Sequence, residues 1–94
     1  MNKIVISSKF KRAFRKFTRR NLKLQNKIEQ VITKLSKDAF DPTLGTHKLE
    51  GKLAELLSCS CGYDCRIIFT IETDNKTAET LIVLLDVGTH DEVY

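Results

Sequence analysis

Ninety-four residues are enough for one domain, spanning 1–94, with one modest core. A chain this short buries only roughly 60–65% of its unfolded surface, which excludes a separate cofactor domain. Hydrophobic residues make up 41% and charged residues 30%, the balance of a folded chain rather than a disordered one. No apolar run approaches the ~18–20 residues of a membrane helix, and the opening stretch MNKIVISSKF lacks the apolar centre of a signal peptide. We therefore expect a cytoplasmic protein with no membrane contact.

The formal charge of +4 conceals a division. Residues 1–37 carry twelve Lys/Arg against one acid, Glu29, a net +11, whereas residues 38–94 carry four against eleven, a net −7. Such asymmetry suits a polyanion or an acidic protein as partner, and equally two amphipathic helices with solvated basic faces.

In chain order, residues 2–7 (NKIVIS) predict a short strand through β-branched Ile4, Val5 and Ile6. Ser7 or Ser8 offers a helix N-cap. Phe10, Ala13, Phe14 and Phe17 then fall at i, i+3, i+4 and i+7, one face of a helix whose other faces are basic. Asn21 breaks or recaps the chain. Leu24, Ile28, Val31, Ile32 and Leu35 mark a second helix, ending near Lys37 before Asp41-Pro42. Residues 38–52 predict a loop. Residues 53–60 are a strand candidate, although Leu53, Leu56 and Leu57 also fit helical spacing. After a turn at Gly62, residues 63–72 (YDCRIIFTIE) predict a strand, Asp74-Asn75-Lys76 a hairpin turn, and residues 79–87 a strand apolar enough for a central position buried on both faces. The expected fold is α+β: a two-helix hairpin packed on an antiparallel sheet of about four strands, in the order β-α-α-β-β-β.

Cys59, Cys61 and Cys65 are odd in number. In a reducing compartment a disulfide framework is not expected. A zinc site with His47 or His90 as fourth ligand and a redox function are minor alternatives to cysteines that act as small strand hydrophobes.

Both histidines lie in loops at strand ends, where working residues concentrate. Cleavage of RNA by its own 2′-OH needs a base, an acid and cations around the phosphate, and no metal or other cofactor. His47, Asp64 and His90 are the acid/base candidates. Arg66 and Lys48 can hold phosphate, Arg66 by a bidentate fork, and Tyr63 and Tyr94 can stack on bases. Asp64 and Arg66, two apart, are expected on one face of the third strand.

Three stretches carry a resemblance: Leu49-Glu50-Gly51, Gly62-Tyr63-Asp64-Cys65-Arg66-Ile67-Ile68-Phe69, and the ending Leu85 to Tyr94 with Gly88-Thr89-His90-Asp91. In that order, after two basic helices, they resemble the RelE/ParE superfamily of bacterial toxin–antitoxin toxins, over essentially the whole chain. The resemblance implies a microbial-RNase-like fold, metal-independent mRNA cleavage in the ribosomal A site, and a toxin that is monomeric within a complex with its antitoxin. The His-containing ending is more similar to the YafQ branch than to RelE proper. By that likeness His47, Asp64, His90 and Tyr94 match catalytic groups, while Arg66 matches an arginine that RelE toxins use on the phosphate. Lys48 and Lys52 are looser analogues of substrate-binding lysines. A further histidine of the branch falls on Ser60, a poor acid or base. Arg12, Arg15 and Arg19 of the first helix are expected to dock on RNA or ribosome. Two other functions are open: a ParE-like inhibitor of DNA gyrase, which shares the fold, and a non-catalytic nucleic-acid-binding domain.

Overall fold

The computed structural model describes residues 2–49 and 55–94. Lys52, and Glu50 and Gly51 of the Leu-x-Gly stretch, lie outside the described residues, as do Leu53 and Ala54.

Strand β1 (Lys3–Ile6) leads into helix α1 (Ser8–Phe17). Ser7 is the N-cap, and its hydroxyl accepts the Phe10 N–H at 3.0 Å. The helix buries Phe10 and packs Ala13, Phe14 and Phe17 against the core, as their spacing requires. The Thr18 hydroxyl donates to the Phe14 carbonyl at 2.7 Å, closing the helix. Asn21 then recaps the chain by accepting the Leu24 N–H at 3.0 Å. Helix α2 (Leu22–Lys37) follows and buries Ile28, Val31 and Leu35.

The loop expected over 38–52 contains two short elements instead: a 3₁₀ turn at Pro42–Leu44, which buries Leu44, and strand β2 (His47–Lys48). A two-residue strand is too short to leave a periodic signal. It exists because β3 (Leu57–Ser60) lies antiparallel beside it, pairing His47 with Ser58 and Lys48 with Leu57. Strand β4 is Arg66–Thr73 and β5 is Thr80–Gly88, and a last short helix, α3 (His90–Val93), ends the chain.

The sheet has five strands in the order β1-β5-β4-β3-β2. It is mixed rather than antiparallel, because β1 runs parallel to β5. The helical hairpin between β1 and the meander acts as the crossover that a parallel pair needs. Strand β5 is interior, as its apolar content suggested, but its burial alternates instead of being complete on both faces.

Leu57 and Cys59 of β3, Ile67 and Phe69 of β4, and Ile82 and Leu84 of β5 point to the helices and form the core with Phe10, Ile28, Val31 and Leu35. The alternate residues Ser58, Ser60, Arg66 and Ile68 therefore project from the opposite face. Phe69 is fully buried at the centre of this core. Phe69→Ala should cost about 3–5 kcal/mol. Urea unfolding checks this, with the midpoint expected to fall and the slope to stay unchanged.

A candidate active site on the open face of the sheet

The turn between β3 and β4 is the first part of the site. Gly62 has φ +128°, a region closed to other residues, and Asp64 has φ +49°, which aspartate tolerates. This geometry ends the expected strand 63–72 at its start. Tyr63 and Asp64 are turn residues, Tyr63 is fully exposed, and β4 begins only at Arg66. Asp64 and Arg66 are thus not alternate residues of one strand.

The same turn brings the Cα atoms of Cys61 and Cys65 to 5.0 Å, and the two are joined in a disulfide. This corrects the expectation of free cysteines, which followed from compartment and odd count rather than from local geometry. The bridge removes two of the three thiolates that a zinc site would need. Among the described residues no group of three or more His, Cys, Asp or Glu is placed to hold a metal ion. Cys59 is a free thiol, and burial pushes its pKa up to about 12, so it is unreactive near neutrality.

Helix α3 lies at the end of β5 and starts with His90. Thr89 is its N-cap: the Thr89 hydroxyl accepts the Glu92 N–H at 3.3 Å, and Glu92 accepts the Thr89 N–H at 2.9 Å. This is a reciprocal capping box. The His90 backbone N–H, an orphan of the first turn, donates to Asp64 Oδ1 at 3.1 Å. Gly88 permits the close return of α3, since a Cβ there would meet Glu92 Oε1 at 3.1 Å and Val93 Cγ1 at 3.3 Å.

Side-chain contacts and strand register link several candidate groups to this frame. The His90 ring packs edge-on against Tyr94, with centroids 4.3 Å apart and planes at 77°. The Tyr94 hydroxyl bonds the buried Ser58 hydroxyl. Ser58 is the cross-strand partner of His47, so the imidazole of His47 leaves β2 on the same face. The half-buried Arg66 is paired in register with Ser60 and Gly88, and its Nη1 donates to the Cys65 carbonyl at 2.9 Å. The Ser60 hydroxyl accepts from Arg66 Nη1 at 3.5 Å. His90 remains open to solvent, with its side chain 58% exposed.

Lys48 is placed differently. Strand alternation turns it from His47, and it lines a separate hollow with Phe40, Glu55 and Ile71. Arg12, Arg15 and Arg19 are exposed on or just after α1. Lys9, on the same helix, lies 3.5 Å from Asp86, and the positive charge of Lys16 acts on Glu92, so one edge of α1 borders the site. Ser58 and Lys16 are not among the groups that the sequence singles out. In Leu57-Ser58-Cys59-Ser60 the polar residues alternate with apolar ones, and that pattern is the available signal for Ser58.

A two-helix hairpin on a mixed five-stranded sheet, with His47, Arg66, His90 and Tyr94 at one end of it, is the arrangement that the family match identifies. The family profile "Bacterial toxin of type II toxin-antitoxin system, YafQ" matches residues 2–94, and the chain belongs to this family. No individual curated protein matches the chain. Among solved structures, a copper-bound mutant toxin from Helicobacter pylori is 25% identical, covers 100% of both chains and has a TM-score of 0.74. YafQ from Escherichia coli is 18% identical over 100% of this chain and 99% of its own, with a TM-score of 0.77. The Escherichia coli DinJ–YafQ toxin–antitoxin complex matches at 16% identity over 99% of this chain and 97% of that one, with a TM-score of 0.72. No helix among the described residues is long and apolar enough to cross a membrane.

The capping box carries a pH prediction. The Glu92 carboxyl is held below its usual range, first by the Thr89 backbone N–H, then by the Thr89 side chain and the charge of Lys16. A depressed carboxyl stabilises α3 above the unfolded value of about 4.3 and loses this as pH falls through the lower folded value. Amide exchange at Thr89 should therefore accelerate beyond its intrinsic pH trend below about pH 4. In Glu92→Gln that acid-side step should be absent.

Proposed function

We propose that this toxin is a metal-independent endoribonuclease that cleaves mRNA on the ribosome. The observation that carries the reading is a linked set: His90 packs on Tyr94, Tyr94 bonds Ser58, Ser58 lies opposite His47, and Arg66 lies opposite Gly88, two residues before His90. Cleavage by the RNA's own 2′-OH requires a base to remove the 2′ proton and an acid to protonate the 5′ oxygen as it leaves. His90 and His47 take these two roles. The Arg66 guanidinium neutralises the phosphate as charge builds on it. Tyr94 provides an aromatic surface for a neighbouring base and supports the His90 ring. Asp64 uses one carboxylate oxygen on the His90 backbone, so it positions His90 rather than exchanging protons with substrate.

Arg12 and Arg15 on α1 and Arg19 just after it, all exposed, supply sequence-independent contact with RNA or ribosome. Lys48 is not part of this constellation. The likeness to the DinJ–YafQ complex supports an antitoxin as the protein partner, and the basic surface favours an acidic one. The toxin acts in the cytoplasm, where translation occurs.

His90→Ala should lower the cleavage rate by roughly 10²–10⁴-fold, as removal of a general acid or base does. Primer-extension mapping of a translated mRNA after induction reads this directly. Growth arrest with intact mRNA in the unmutated protein would overturn the proposal and favour gyrase inhibition. Changing Arg12, Arg15 and Arg19 together to Gln should flatten the salt dependence of binding, by about 0.7 in log–log slope for each phosphate of single-stranded RNA that the variant no longer neutralises. An unaltered slope would make α1 a solvated scaffold face.

A further inference from the structure

The Cys61–Cys65 disulfide closes a loop whose three enclosed residues are Gly62, Tyr63 and Asp64. Everything on the β3–β4 side of the site hangs from that loop. Asp64 accepts the His90 N–H at 3.1 Å, and Arg66 Nη1 donates to the Cys65 carbonyl at 2.9 Å. Two backbone bonds accompany the bridge: the Cys61 N–H donates to the Cys65 carbonyl at 2.9 Å and the Cys65 N–H to the Gly62 carbonyl at 3.4 Å. Asp64 in turn sits at φ +49°, a conformation that a free loop has little reason to hold.

We propose that Cys61 and Cys65 are positioning residues whose redox state sets the activity of the site. This rests on the endoribonuclease reading for its activity readout only. As the disulfide, they hold Asp64 beneath His90 and fix the carbonyl that orients Arg66. As two thiols, they release the loop, and His90 loses its tether to Asp64, while the β4–β5 ladder keeps Arg66 beside Gly88.

The chemistry is thiol–disulfide exchange. The thiolate of a small-molecule thiol attacks one sulfur, the Sγ–Sγ bond breaks, and a mixed disulfide forms. A second thiol equivalent completes the reduction. Two electrons and two protons pass to Cys61 and Cys65, and the reductant departs as its own disulfide. Both cysteines are 1% exposed, which bars a protein-sized reductase from direct attack. They do line a hollow of about 470 Å³, faced on the other side by Lys23, Lys27 and Gln30 of α2 and rimmed by Tyr63. That hollow admits a small thiol, and its two lysines favour the departing thiolate. Cys59, buried with its pKa pushed up, does not compete.

The test compares the oxidised protein, the same protein reduced with dithiothreitol, and the Cys61→Ala/Cys65→Ala variant. Mass spectrometry after native alkylation should show no reactive cysteine in the oxidised form and two in the reduced form. Hydrogen exchange at the His90 amide should rise roughly tenfold on reduction, while exchange at Ile67, Phe69 and Leu84 stays unchanged. A merely structural bridge would move the core amides together with His90. RNA cleavage should fall about 100-fold, the scale of a misplacement of 1 Å or so, and the double variant should match the reduced protein and ignore dithiothreitol. Equal His90 exchange in both states, or two reactive thiols even after treatment with diamide, would overturn the proposal. Responsive His90 exchange without RNA cleavage in either state would support the positioning and sink the endoribonuclease reading instead.

Discussion

The pairing of β4 with β5 is the contact on which the molecule depends. These two strands run side by side from Arg66↔Gly88 to Thr73↔Thr80, and their inward residues Ile67, Phe69, Ile82 and Leu84 are the fully buried centre of the core. Strand β1 and α1 attach through β5, and β3 and β2 attach through β4. The same ladder also places Arg66 beside Gly88 at its far end. Arg66 and the start of the histidine-bearing segment are therefore fixed by one set of backbone bonds, a rigid support of the kind a site needs.

From that end, the site is completed by two local devices. One is the capping box of α3, which turns the chain at Thr89 and commits His90 to a defined position. The other is the β3–β4 turn, which presents Asp64 to the His90 backbone. Neither contributes much to the core. Their role is geometric: each satisfies an N–H of the first turn of α3, a group that would otherwise bond water and leave the short helix free to fray. The His90–Tyr94 edge contact and the Tyr94–Ser58 hydroxyl bond then pin the end of the chain to the sheet. A four-residue helix, unstable alone, is held by partners from three strands or strand ends.

The charge division has a structural counterpart. Lys9 and Lys16 lie on the edge of α1 next to Asp86 and Glu92, while the arginines face solvent. In the Lys9–Asp86 contact only Lys9 is well exposed, and at 3.5 Å a pair with one solvated partner adds little stability. The larger electrostatic effect of the basic helix is the positive field that its exposed lysines and arginines set up on that side of the molecule.

The helices, β1, β4, β5 and the core were legible because burial imposes a period. Phe10, Ala13, Phe14 and Phe17, or Ile67 and Phe69, declare their face by spacing alone. The capping roles of Ser7 and Asn21 were equally local and equally legible. The chain order of His47, Asp64, Arg66, His90 and Tyr94 was enough to name the candidate groups. What escaped was decided between segments distant in sequence. Strand β2 exists only because β3 lies beside it. The parallel pairing of β1 with β5 turns an expected antiparallel sheet into a mixed one. The Cys61–Cys65 bridge and the release of Asp64 from β4 follow from a turn conformation that composition does not specify. The approach of Asp64 to His90, twenty-six residues apart, and the opposite facing of Lys48 and His47 depend on how strands register. Periodicity reports which side of an element is buried; only the assembled sheet decides which exposed side chains share a face.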